Sequence, residues 1–273
     1  MTFPNETLPK GRKQKTTALY DRFVNQGAVM GDSFGLENVL WFANNKEDAH
    51  EEPTIKRSRS HDYVSKEVIN VRENVGLIEV ANFSKHEFKG PDARKFLDHI
   101  MAGRLPKPGR ISLSPMLSYR GKLCGDLTVA CLDENEFMVF GSGAAQEMHR
   151  RWFESHIDKF NLSYSNRSDE YHGLSIAGPN SRKVLEKIVR DDVSNEKFKF
   201  RDSRRMFVGG VPAIINRISF TGELGYEIYV APHYQLKLYE ELMEAGKEFN
   251  IKPFGGRALM SMRLEKNWGA WTL

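Results

Sequence analysis

The chain has 273 residues, 40% of them hydrophobic and 11% aromatic, enough to pack one large domain or two ordinary ones. Its net charge of +4 is spread along the sequence, and no aromatic residues interleave with the locally basic N-terminus or with Lys56–Arg59, which argues against a nucleic-acid partner. No apolar run approaches the ~20 residues that cross a bilayer, and MTFPNETLPKGRKQK has no apolar signal region, so the expectation is a globular cytoplasmic protein with no membrane partner.

Residues 1–16 are polar and contain two prolines and a Lys/Arg cluster, which reads as a flexible arm. Leu19, Tyr20, Phe23 and Val24 then follow helical spacing up to a stop at Gly27. Ala28–Trp41 reads as extended segments packed on a core, Asn44–Ser60 as a charged loop, and Tyr63–Glu73 as a second helix ended by Gly76. Past Gly76, Leu77–Val80 and His86–Lys89 read as strands, and Gly90-Pro91-Asp92 opens a helix over Ala93–Met101.

Met116–Val129, MLSYRGKLCGDLTV, predicts two strands turning at Arg120-Gly121-Lys122. Leu127 and Val129 alternate with Asp126 and Thr128, so burying the first pair directs Asp126 the other way, to solvent or into a cavity. Cys124 and Cys131 flank it at an odd separation, which puts them on opposite faces and argues against a disulfide; neither has metal-ligand spacing. A strand over Glu136–Gly141 and a helix from about Ala144 to Ile157, packed through Met148, Trp152 and Ile157, complete a unit of α+β character.

Tyr171–Ile176 runs into Gly178-Pro179-Asn180 and a helix from Ser181 to Val189, and AGPNSRKVLEKI matches KGPDARKFLDHI position by position. The match suggests two similar halves with a site between them. Val208–Ala213 and Ile214–Phe220 read as a hairpin around Gly209-Gly210, followed by the bend and strand TGELGYEIYV, which carries Glu223 and Glu227. Helices over Tyr234–Phe249 and Arg257–Lys266 close the chain before Trp271–Leu273. Read alone, Glu227 is a surface charge on an edge strand, Arg257 a solvated helix residue, and Phe83, Leu113, Phe140 and Phe220 ordinary core.

Five stretches in order, VGLIEVANFSKHEFKGPDA, MLSYRGKLCGDLTV, AGPNSRKVL, ISFTGELGYEIYV and GGRALMSMRLEKNWGAW, resemble the folate-binding aminomethyltransferase family typified by the T-protein of glycine cleavage. LYDRFVNQGAVMGDSFGLENVLWFA and RLEKNWGAW look most like the C-terminal half of dimethylglycine and sarcosine dehydrogenases. The resemblance implies an α+β fold of two similar antiparallel-sheet-plus-helices subdomains, residues 17–75 with 165–273 forming the first and 76–164 inserted as the second. It implies tetrahydrofolate as cofactor and transfer of a one-carbon unit from an N-methylated glycine-type, methylamine-like donor.

The family's hairpin aspartate falls on Asp126, which assists proton transfer or stabilises developing positive charge. Its pterin-gripping glutamate falls on Glu227, its arginine for the glutamyl carboxylate on Arg257, and its ring-packing positions on Phe83, Leu113, Phe140 and Phe220; Glu223 is a further binding candidate. Two departures stand out. The expectation is that the family's third, β-barrel domain is absent, leaving a face for a partner subunit or self-association to cover, and no G-x-G-x-x-G fingerprint for FAD occurs in these residues; no metal is expected. The alternatives to a transferase are a non-catalytic folate-binding or partner-docking module and a split subunit or fragment of a dehydrogenase.

Overall fold

A computed structural model describes residues 8–51, 54–269 and 271. The Trp271–Leu273 ending and the first seven residues of the expected arm fall wholly or partly outside that set. The described part of the arm is pinned down: Arg12 Nε and the Lys13 amide each donate to Glu37 Oε1 at 2.8 Å. Glu37 is buried, and a buried carboxylate is retained where it has such donors.

The elements run α1 (Tyr20–Asn25), β1 (Ala28–Ser33), β2 (Leu36–Phe42), α2 (Ser60–Glu73), β3 (Val75–Glu79), β4 (Phe83–Lys89), α3 (Ala93–Ile100), β5 (Arg110–Leu117), β6 (Leu123–Asp133), β7 (Glu136–Ser142), α4 (Gln146–Glu154) and β8 (Ser163–Asn166). They continue with β9 (His172–Ala177), α5 (Ser181–Ile188), β10 (Ser203–Val208), β11 (Val211–Asn216), β12 (Gly225–Val230), α6 (Gln235–Ala245), β13 (Ile251–Pro253) and α7 (Gly256–Glu265). Among the described residues three sheets form: the hairpin β1-β2, a five-stranded sheet in the order β5-β6-β7-β4-β8, and a six-stranded sheet in the order β10-β11-β12-β9-β3-β13.

The two larger sheets repeat one plan. A strand (β4 or β9) leads through Gly-Pro into a helix (α3 or α5), then a three-stranded meander whose last strand (β7 or β12) pairs back onto the first. Both hinge glycines are held at positive φ, Gly90 at 138° and Gly178 at 130°. A Cβ on Gly90 would lie 2.7 Å from the Leu162 backbone, and one on Gly178 would lie 2.4 Å from the Val71 carbonyl, so no larger residue fits either turn.

Helices cover the outer faces and the sheets meet through their inner faces. Phe96, Leu97 and Ile100 of α3 and Phe153 of α4 pack on Leu127, Val129 and Val139. Val184 and Leu185 of α5 and Leu238 and Leu242 of α6 pack on Ile176, Ile228 and Val230. Between the sheets lie Ile111, Ala130, Met138 and Phe140 from one and Ile78, Ile214 and Tyr229 from the other, flanked by Val71 of α2 and Ala258, Leu259 and Met262 of α7.

Three sequence expectations shift. Helix α4 buries His149 and Phe153 rather than Met148, which is 39% exposed; the buried pair is spaced i, i+4, one residue round the helix from the predicted face. The hairpin turns at Gly209-Gly210 as expected, but its strands are β10 and β11, with Val208 opposite Val211. The expected divisions at 75/76 and 164/165 fall inside β3 and β8: β3 pairs with β9 and β13 in the six-stranded sheet and β8 with β4 in the five-stranded one, so the chain leaves the six-stranded sheet between β3 and β4 and returns to it between β8 and β9.

Candidate functional site

On β6, Leu127, Val129 and Cys131 enter the core under α3 and α4, so period-2 alternation sends Asp126 and Thr128 to the inner face. Asp126 is half-buried, has no hydrogen bond or ion pair among the described residues, and burial pushes its carboxyl pKa above the ordinary value. Thr128 stands opposite Phe140 of β7, and Phe140 opposite Lys85 of β4, so the three share one row.

Strand β12 supplies the facing wall. Tyr226, Ile228 and Val230 point to the helices, which leaves Glu227 and Tyr229 on the inner side. β12 lies between β11 and β9, so Glu227 is on a central strand, not the edge strand that its sequence alone suggests. Tyr229 donates its hydroxyl to Glu227 Oε2 at 2.9 Å. The Tyr229 ring stacks on Phe140 across the interface, with centroids 4.6 Å apart and planes 30° to each other. Burial outweighs the Tyr229 hydrogen bond and the attraction of Lys85, and raises the Glu227 pKa to about 7.

Lys85 completes the cluster. It is fully buried, donates from Nζ to the Ala81 carbonyl at 2.8 Å, and lies 5.9 Å from the Tyr229 ring centroid. Burial lowers its pKa to about 7. Among the described residues it has no ion-pair partner, and Glu227 attracts its charge without a direct salt bridge.

The other expected residues divide. Phe140 is buried, and Phe83 and Phe220 are half-buried against the same inner cluster. Leu113 shares the inner face with Thr128 but lies on edge strand β5 and is 45% exposed, so it is not core. Glu223 sits in the β11–β12 bend, where its amide donates to Thr221 Oγ1 at 3.2 Å. Arg257, near the start of α7, is not a free solvated side chain: it donates to Glu51 and, at 3.1 Å, to Ser60 Oγ. A ligand carboxylate at Arg257 would compete with Glu51 for the guanidinium.

Sequence reasoning passed over Tyr229 and Lys85. Tyr229 was within reach, because it follows Glu227 by two residues in one strand and must share its face. Lys85 carries no such signal, since a lysine inside FSKHEFK reads as solvated until its strand is known to be central. Among the described residues, no group of three or more His, Cys, Asp or Glu is arranged to hold a metal ion.

Known proteins resemble this chain in sequence and fold. The sequence matches the GCVT N-terminal domain over residues 19–273. Mouse mitochondrial dimethylglycine dehydrogenase is 35% identical over 273 residues, covering 98% of this chain and 31% of that protein. The aminomethyltransferase of Halothermothrix orenii is 31% identical over 200 residues, 72% of this chain and 55% of that one. The crystal structure of glycine cleavage system aminomethyltransferase T from Bartonella henselae superposes with a TM-score of 0.78 at 22% identity, over 94% of this chain and 64% of that chain. The mixed α+β fold is thus that of the aminomethyltransferase T-protein, and this chain spans about a third of the dimethylglycine dehydrogenase it matches. With the family match running through both sheets, from α1 to the last residue, the chain belongs to the GCVT N-terminal domain family.

Proposed function

We propose that the chain binds tetrahydrofolate between its two large sheets and transfers to it a one-carbon unit from an N-methylated glycine-type donor. One observation supports this reading: strand alternation directs Asp126 and Glu227, on the two large sheets, to the inner faces, and burial pushes both towards the neutral form. The residues fit the ligand. Glu227 binds Tyr229 through Oε2 alone, which leaves Oε1 to accept from the adjacent N–H donors of a pterin. Phe83 and Phe220 present aromatic surface beside the Phe140–Tyr229 stack.

When bound, tetrahydrofolate supplies the nucleophilic nitrogens that receive the carbon. Asp126 then takes up a proton from a reacting amine or balances the positive charge that develops on the donor. No hydrogen-bond partner among the described residues occupies its oxygens, and its partly dry setting strengthens the attraction. Arg257 pairs with the glutamyl carboxylate once Glu51 is displaced. The oxidation for which the mouse relative is named lies outside this proposal.

The test is single-turnover transfer by Asp126→Asn. Product formation should fall by about 100-fold or more while tetrahydrofolate affinity stays within a few-fold. Parental turnover in that variant removes the catalytic role of Asp126. Binding without transfer by the parental protein favours the non-catalytic folate-binding module instead.

A further inference from the structure

A polar row crosses the inner face of the six-stranded sheet. Ser203 of β10 stands opposite Asn216 of β11, Asn216 opposite Glu227 of β12, and Glu227 opposite Ser175 of β9. Directly opposed residues share a face, so these four side chains form one line. The adjacent row is Arg205, Ile214, Tyr229 and Gly173, and its charged member, Arg205 on edge strand β10, pairs with Glu136.

Asn216 is the anomaly in this line. It is fully buried, and its Oδ1 accepts from Ser203 Oγ at 2.7 Å, but among the described residues its Nδ2 has no hydrogen-bond partner. With Oδ1 accepting from the Ser203 hydroxyl on one side, the atom left without a partner is the Nδ2 donor. Its neighbour on the other side is Glu227, whose carboxylate accepts from Tyr229. A buried donor without an acceptor is costly, and folds rarely keep one that nothing satisfies.

We propose that Asn216 is a ligand-binding residue that works as a pair with Glu227, its Nδ2 donating to the bound heterocycle. The inference rests on the folate reading of the site and adds a specificity element to it. A pterin edge carries two adjacent donors, the N3–H and the 2-amino group, and on either side of them stands an acceptor, the 4-oxo group or ring N1. With Glu227 accepting from the two donors, a donor immediately beside it meets an acceptor whichever way the ring lies. Asn216 and Glu227 together therefore read donor and acceptor positions, and a ring with the reverse pattern leaves both side chains unpaired.

Calorimetric titration of 5-formyltetrahydrofolate into the parental chain, Asn216→Ala and Asn216→Asp tests this. The Asp variant keeps the side-chain volume and an acceptor for Ser203 but replaces the donor with an acceptor. Affinity should fall about tenfold for Asn216→Ala and further for Asn216→Asp, with the melting temperatures of the free variants not lowered to match. Parental affinity in both folded variants overturns the role of Asn216 and leaves the folate reading standing. No binding by the parental chain overturns the folate reading itself, and that result is read without any variant.

Discussion

Phe140 of β7 lies on Tyr229 of β12 with ring centroids 4.6 Å apart, and through this contact the sheet that carries Asp126 is joined to the sheet that carries Glu227. The stack sets the separation of the two walls. Tyr229 needs Gly173 beside it, since a Cβ there would come within 2.6 Å of the ring, and its hydroxyl steadies the Glu227 carboxylate. One aromatic pair thus couples packing, sheet spacing and the electrostatics of the site.

Removing the stack should be expensive. Phe140→Ala deletes a buried ring from the middle of the inter-sheet core and is expected to lower stability by about 3–5 kcal/mol. Chemical denaturation measures this directly, and a loss below about 1 kcal/mol would show that the sheets do not depend on this contact.

The pH dependence of binding follows from Glu227. With its pKa raised to about 7, the carboxylate is ionised only above neutrality, so tetrahydrofolate affinity should rise with pH through about 7 and then level off. Tyr229→Phe removes a hydrogen bond that holds this pKa down, and the midpoint of the affinity curve should move to higher pH. Titrations at several pH values read the midpoint; an unshifted midpoint in Tyr229→Phe would disconnect Glu227 from the dependence.

Much of this architecture is legible in the residues. Alternation of Asp126 with Leu127 and Val129 gives the direction of the catalytic candidate, and the paired Gly-Pro-helix segments give the repeat. What is not legible is what each residue faces after folding. Lys85 is fully buried because β4 lies between β7 and β8, Arg257 is held by Glu51 from a distant loop, and Arg12 of the expected arm is held by Glu37. These are long-range pairings, set by topology and not by local pattern.

Lys85 should leave its own signature on stability. Its pKa is lowered to about 7 by burial, although Asp169, Glu79 and Glu227 attract the charge and Lys15 repels it. Between pH 7 and the unfolded value of 10.5 the unfolded chain binds the proton that the folded chain has released, so this group makes stability rise with pH across that window. Lys85→Met should therefore be more stable than the parental protein at or below pH 7, with the advantage fading towards pH 10.5. Thermal melts of both proteins over that range decide it, and an advantage independent of pH would show that Lys85 does not titrate as described.

The central claim is that the inter-sheet region is a tetrahydrofolate site in which Glu227 grips the pterin. Calorimetric titration of tetrahydrofolate into the parental chain and into Glu227→Ala at pH 8 tests it most directly. The expected result is saturable binding by the parental chain, weakened about tenfold to a hundredfold in the variant by loss of a charged hydrogen-bond acceptor. Absence of binding heat from the folded parental chain, or equal affinity in the two proteins, would contradict it.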